Sequence, residues 1–186
     1  MIDFKAKFEA ALPYDQFLAA HASDEHRRRW AEVEQTIGLT EAQRELLAGF
    51  VREMNVLCLA GTWCGDCIRQ CPIQRHFERA NPKINLRFVD RDADAELRDE
   101  LRVCGGMRVP VLVFLSEEFA ECGRYGDRPL SYYRQLAEQQ LGAACPTGLG
   151  ASSQDQTAWI SDWLAEFERI QLMLRLSPRL RERHGD

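Results

Sequence analysis

The chain has 186 residues, 45% hydrophobic and 28% charged, with a formal net charge of −5. This composition suits one soluble globular domain with additions, whose core needs no disulfide staples, and the acidic balance argues against a nucleic-acid partner, which requires a concentrated Lys/Arg patch. No run approaches the roughly 18 apolar residues that cross a bilayer, and Met1-Ile2-Asp3-Phe4-Lys5 lacks the features of a secretory leader, so no membrane partner and a cytoplasmic location are expected.

The first fifty residues read as helices. Phe4, Phe8 and Leu12 recur at helical spacing, and Pro13 ends that stripe. A second helix follows Ser23, with Trp30, Val33 and Ile37 on its apolar face and Gly38 as its stop. Thr40 with Gln43 matches a capping box for a helix running to about Glu53, with Leu46, Leu47, Phe50 and Val51 inward. No strand signal precedes residue 55. Val56-Leu57-Cys58-Leu59-Ala60 is then a continuous apolar run, the pattern of a strand buried on both faces.

Cys64 to about Ala80 reads as a helix, Ile84 to Phe88 alternates like a strand, and Asp94 to Val103 reads as a helix stopped by Gly105-Gly106. Strand, helix, strand implies a parallel βαβ unit. Val111 to Leu115 is another strand, Phe119 to about Arg124 its hairpin partner, and Pro129 to Leu141 a helix. Gly142 to Gln156 has the composition of a linker or surface loop. From about Thr157 a last helix carries Trp159, Trp163, Phe167, Ile170 and Leu174 at helical spacing, a stripe expected to dock on the main domain.

Seven cysteines, Cys58, Cys64, Cys67, Cys71, Cys104, Cys122 and Cys145, are an odd number at irregular spacings, which disfavours a secreted disulfide framework. The pair in Trp63-Cys64-Gly65-Asp66-Cys67 stands out. Thiol-disulfide exchange needs an attacking thiolate, a nearby second thiol and a means of stabilising the anion. Two cysteines three apart at a helix start supply all of these. Cys64 meets the unpaired N–H groups and positive end of the helix dipole, and Cys67 lies one turn further in. Gly65 leaves room for a partner chain, and Trp63 is a flat apolar neighbour. A zinc site would need a second Cys or His pair, and none is spaced for it. Cys71 shares a helical face with Cys64 and Cys67, so a soft-metal site on those three is the competing reading; the iron-sulfur spacing is not matched, and Cys71 reads as a small buried residue facing the sheet.

These residues resemble the thioredoxin superfamily over roughly residues 41 to 142. The motif is similar to the family's WCGPC with Asp66 in place of proline, and Pro72 falls where the family has the proline that kinks this helix. Met107-Arg108-Val109-Pro110-Val111 resembles the segment with the family's cis-proline. A helical extension ahead of WCGDC also resembles a bacterial thioredoxin-like family of uncharacterised members. The resemblance implies an α/β thioredoxin fold, a central mixed β-sheet flanked by helices. Residues 1–40 form a helical extension, 41–142 the thioredoxin-like domain, and 143–186 a loop and a docked C-terminal helix.

The function it implies is a thiol-disulfide oxidoreductase with catalytic Cys64 and Cys67 and with Trp63, Val109 and Pro110 binding the substrate peptide. Its partners would be disulfide-containing proteins and a reductase or dithiol electron donor; no bound cofactor and no metal are expected. The alternatives are a binding or chaperone module with vestigial cysteines and a metal-binding protein using Cys64, Cys67 and Cys71. Two departures from the family bear on the chemistry. Its buried aspartate six residues before the nucleophile is Cys58 here, a poor base because burial raises a thiol pKa. Asp66 adds a negative charge beside Cys64 that is expected to raise its pKa and make the protein reducing, unless the carboxylate is simply solvated. Arg175, Arg179, Arg181 and Arg183 read as a solvated helix end, and Cys104, Cys122 and Cys145 have no partner spacing.

Overall fold

Met54–Ala60 is buried at every position, as its unbroken apolar sequence predicts, and this strand, β1, is the spine of the molecule. In the computed structural model, which describes residues 2–142 and 156–185, β2 (Ile84–Asp90) runs parallel to β1, while β3 (Val111–Leu115) lies antiparallel on its other side. β4 (Glu121–Gly126) pairs antiparallel with β3, and the mixed sheet has the order β2-β1-β3-β4. The loop expected between Gly142 and Gln156, with Cys145, lies outside the described residues.

Four helices precede the sheet: α1 (Phe4–Ala10), α2 (Tyr14–His21), α3 (Asp24–Thr36) and α4 (Glu41–Ala48). Ser23 caps α3, and the Thr40–Gln43 capping box opens α4 as predicted. Two details differ from the sequence reading. Leu12 leaves the α1 stripe and exchanges backbone hydrogen bonds with Phe88 at 3.0 and 2.7 Å, an isolated antiparallel bridge on the outer edge of β2, before the chain turns back into α2. The fourth helix stops at Ala48 rather than near Glu53. The Val51 and Arg52 N–H groups donate to Gln171 Oε1 at 3.3 and 2.8 Å instead of to helical carbonyls, and Val51 is 52% exposed rather than inward. Feeding β1 requires the chain to leave the helix there, and a distant side chain takes the freed donors.

After β1 come α5 (Gly65–Ala80), α6 (Ala95–Glu100), α7 (Leu130–Leu141), α8 (Gln156–Leu176) and α9 (Pro178–His184). Asp94 caps α6, which ends at Glu100, short of the expected Val103. A tight bridge between Val103 and Gly106 replaces its last turn, with Cys104 and Gly105 at φ 50° and 74°, a conformation glycine adopts freely. The docking stripe on α8 is borne out: Trp163, Phe167, Ile170 and Leu174 are buried. Phe167 meets Phe77 and Phe114 edge-on, each at 5.1 Å between ring centroids. The basic C-terminal end is not simply solvated. Pro178 starts a separate helix, where Arg179 and Arg183 pair with Glu118 and His184 with Glu117. Among the described residues no helix is long and apolar enough to cross a membrane.

The N-terminal helices share the core of the sheet. Phe17 stacks on Phe88 at 5.3 Å, and Tyr14 sits edge-on to both Trp30 and Phe88 at 5.6 Å. Trp30 is fully buried, and its indole N–H donates to the Thr62 carbonyl at 2.8 Å. Thr62 Oγ1 donates in turn to the His21 carbonyl at 3.0 Å. The turn leading to Cys64 is thus held from behind by α2 and α3.

Candidate active site

Beyond β1, Gly61-Thr62-Trp63 turns the chain into α5, with Cys64 as its N-cap in extended conformation. Its N–H donates to the Gly61 carbonyl at 3.0 Å. The Cys64 sulfur therefore stands at the positive end of a sixteen-residue helix, half-buried. Cys67, a turn further in, is fully buried, and its sulfur accepts from the Gly61 N–H at 3.4 Å. Gly61 also makes room for Trp63, since a Cβ there would lie 2.9 Å from the indole. Trp63 is 43% exposed, and the Arg91 guanidinium covers its ring at 4.4 Å. Pro72 lies buried within α5, where it leaves the Ile68 carbonyl without a helical donor.

The opposite wall is the segment before β3. The Val109–Pro110 peptide is cis, as the resemblance implied, and the Cys64 thiol donates to the Val109 carbonyl at 3.6 Å. Both Val109 and Pro110 are buried. Trp63, Cys64, Val109 and Pro110 therefore converge on one place, with Cys67 beneath. Gly126 seats this wall: a Cβ would come within 2.5 Å of the Pro110 carbonyl oxygen, and φ is 155°. Asp127, almost wholly buried, accepts from Arg108 at 3.3 Å and from the Tyr133 hydroxyl, and pairs with Arg128 at 3.5 Å. Between the walls runs a groove of about 330 Å³ lined by Trp63, Cys64, Met107 and Val109 and flanked by Arg91, Arg108 and Arg128.

Asp66 does not act as expected. Its carboxylate is turned away from solvent, accepting from Arg128 Nη2 at 2.6 Å and from the Tyr132 hydroxyl at 3.0 Å. A guanidinium faces its charge, and its electrostatic effect falls on Cys67, whose thiol it pushes up, rather than on Cys64. The influences on Cys64 come instead from its partner. The hydrogen bond with Cys67, then burial, then the charge on Cys67 push the Cys64 thiol up. Burial alone would also push Cys67 up, but hydrogen bonds from Cys64, Cys71 and the Gly61 N–H outweigh it and bring Cys67 down to about 5. Only the Cys64 sulfur is accessible to an external disulfide.

Behind this pair, Cys71 is fully buried, as predicted, with its sulfur 4.0 Å from that of Cys58. Burial pushes the Cys58 thiol up, in keeping with its poor credentials as a base. None of the six described cysteines is in a disulfide. Among the described residues no cluster of three or more Cys, His, Asp or Glu side chains has the arrangement to hold a metal ion.

A family model described as thioredoxin matches residues 12–140. The chain belongs to the thioredoxin family. As a thioredoxin-family chain it also resembles solved structures over nearly its whole length. A protein of unknown function from Pseudomonas aeruginosa superposes with a TM-score of 0.71 at 22% identity, covering 91% of this chain and 97% of that one. An HIV epitope scaffold gives 0.70 at 22% identity, covering 90% and 99%. No curated protein matches the chain.

The sequence reading missed Arg91, Arg108, Asp127 and Arg128 in this thioredoxin-family site. Arg91 carried a usable signal, since it directly follows a parallel strand, where α/β sheets gather their sites. Asp127-Arg128 fall between the strand expected to end near Arg124 and the helix expected from Pro129. The other half of each contact is far along the chain, and no local pattern names it.

Proposed function

We propose that the protein is a thiol-disulfide oxidoreductase that reduces disulfides of protein clients through Cys64 and Cys67. The observation that carries this reading is the placement of two adjacent thiols, one reachable at a helix N-terminus and one sealed beneath it. The accessible sulfur also touches the carbonyl of Val109, just before a cis-proline. A client peptide lying extended along Val109 would exchange that thiol contact for a backbone hydrogen bond, with Trp63 and Met107 as apolar flanks.

Cys64 passes its proton to Cys67 and attacks one sulfur of the client disulfide as a thiolate. A Cys64–client bond forms, the client disulfide breaks, and the departing client thiolate takes the proton from Cys67. Cys67 thiolate then attacks Cys64, releasing the second client thiol and leaving a Cys64–Cys67 disulfide. The client gains two electrons and two protons, one from the cysteine pair and one from solvent. A reductase or a dithiol donor, in the cytoplasm, returns the pair to its reduced form.

Reduced protein should cleave insulin disulfides in the presence of dithiothreitol, and Cys64→Ser should abolish the activity. Cys67→Ser should capture clients as mixed disulfides that dithiothreitol releases. Wild-type protein that leaves insulin intact, together with no capture by Cys67→Ser, would overturn the proposal and favour a binding module.

A further inference from the structure

Four sulfurs form a continuous line from the surface into the core. Cys64 caps α5, Cys67 lies one turn below it and Cys71 one turn below that, and the titration of Cys67 responds to both neighbours. Cys71 Sγ lies 4.0 Å from Cys58 Sγ. Cys58, Cys67 and Cys71 are all fully buried, so only the Cys64 end meets an external reagent. Cys64, the N-cap of α5, and Cys67 and Cys71 within it follow one face at successive spacings of three and four residues. Cys58 comes from β1, at the register position between Phe88 and Leu112. A disulfide bond is about 2 Å long, so the Cys58–Cys71 separation is that of a reduced pair, closable by small movements of two short side chains. Burial pushes both thiols up. They stay protonated at rest and do not compete with Cys64 for clients.

We infer that Cys58 and Cys71 are a second dithiol, held behind the first and oxidised through it. This rests on the function proposed above. Once a client has left the Cys64–Cys67 disulfide, Cys71 attacks Cys67 Sγ. The Cys67–Cys71 bond forms, the Cys64–Cys67 bond breaks, and the proton lost by Cys71 ends on Cys64. Cys58 then attacks Cys71 Sγ, the Cys58–Cys71 bond forms, the Cys67–Cys71 bond breaks, and the proton lost by Cys58 ends on Cys67. Each exchange conserves one disulfide, so the relay consumes no outside oxidant or reductant. Its result is a reduced Cys64/Cys67 pair and an oxidised Cys58/Cys71 pair. One fully reduced chain then reduces two client disulfides, giving up four electrons, before a donor is needed.

The test uses full-length reduced protein, freed of reductant under argon and mixed with excess hydroxyethyl disulfide. Samples are quenched in acid, alkylated and mapped by mass spectrometry, and the mercaptoethanol released is counted. Of the four, wild type should lose the Cys64 and Cys67 thiols first and the Cys58 and Cys71 thiols later, ending with a Cys58–Cys71 disulfide and two reagent disulfides reduced per chain once the mixed disulfides mapped on the remaining cysteines are subtracted. Cys58→Ala should halve that stoichiometry to one.

Cys64→Ser should leave Cys58 and Cys71 reduced; their oxidation at an undiminished rate would overturn the relay. A Cys64–Cys67 disulfide with Cys58 and Cys71 still free overturns the inference alone. No intramolecular disulfide at all overturns the underlying redox reading with it. The wild-type peptide map decides the matter even if Cys58→Ala fails to fold.

Discussion

Arg128 donates to the Asp66 carboxylate at 2.6 Å, joining the turn before α7 to the first turn of the helix that carries the cysteines. The acidic residue inside the motif is thereby balanced by a cation 62 positions away. Arg128→Ala should release that charge onto Cys64 and raise its thiol pKa by about one unit. Alkylation of Cys64 by iodoacetamide at neutral pH, followed by peptide mapping, should slow by about tenfold. Asp66→Asn in the same background should restore the rate. Unchanged alkylation in Arg128→Ala would show that Asp66 is not felt at Cys64.

Gly126 gives a second prediction. An alanine there places its Cβ 2.5 Å from the Pro110 carbonyl at a φ of 155°, so either the wall of the groove shifts or the turn distorts. Gly126→Ala should cost about 1–3 kcal/mol in urea unfolding and slow insulin reduction, because Val109 is carried with Pro110. Full stability with full activity would mean that the turn re-forms around the methyl group.

Trp30 tests the support behind the motif. Replacing it with Phe keeps most of the buried ring but strands the Thr62 carbonyl, at a cost of about 1–3 kcal/mol. Trp30→Ala should cost about 3–5 kcal/mol. The midpoint of denaturant unfolding measures both, and equal losses would mean that the hydrogen bond rather than the buried volume matters.

His76 supplies a pH dependence. Burial lowers its pKa in the folded protein, outweighing the hydrogen bond to the Glu34 carbonyl. The unfolded chain therefore binds this proton more readily than the folded one. The associated stability is present above the unfolded value of about 6.5 and is lost as pH falls through the lower folded value. Unfolding free energy should decline from pH 7 towards pH 5, and His76→Gln should flatten that stretch of the profile. A wild-type profile level across that range would exclude the effect.

What could be read from the sequence was what local chemistry encodes. Thr40 and Gln43 announce a capping box because both partners sit within one turn, and the apolar run ending at Ala60 announces a buried strand. Cys64 and Cys67 stood out by their spacing at a helix start, and Pro72 and Pro110 through the resemblance to the thioredoxin superfamily. The end of α4 was not readable, because Gln171, from the far end of the chain, supplies the acceptor that stops it. Nor was the state of Asp66: its consequence depends on Arg128 and Tyr132, which only the fold brings near. Leu12 kept helical spacing and yet pairs with Phe88, an edge-strand contact that periodicity does not reveal.

The Trp30–Thr62 hydrogen bond also bears on how this protein could be divided. A fragment cut at the helical extension would have the customary thioredoxin parts list, yet it would bare one face of Phe88 and leave the loop in front of the cysteines without its backing. Grafting the WCGDC segment into a minimal thioredoxin would lose the same brace. The unit that can be transplanted, truncated or inherited intact begins upstream of α2.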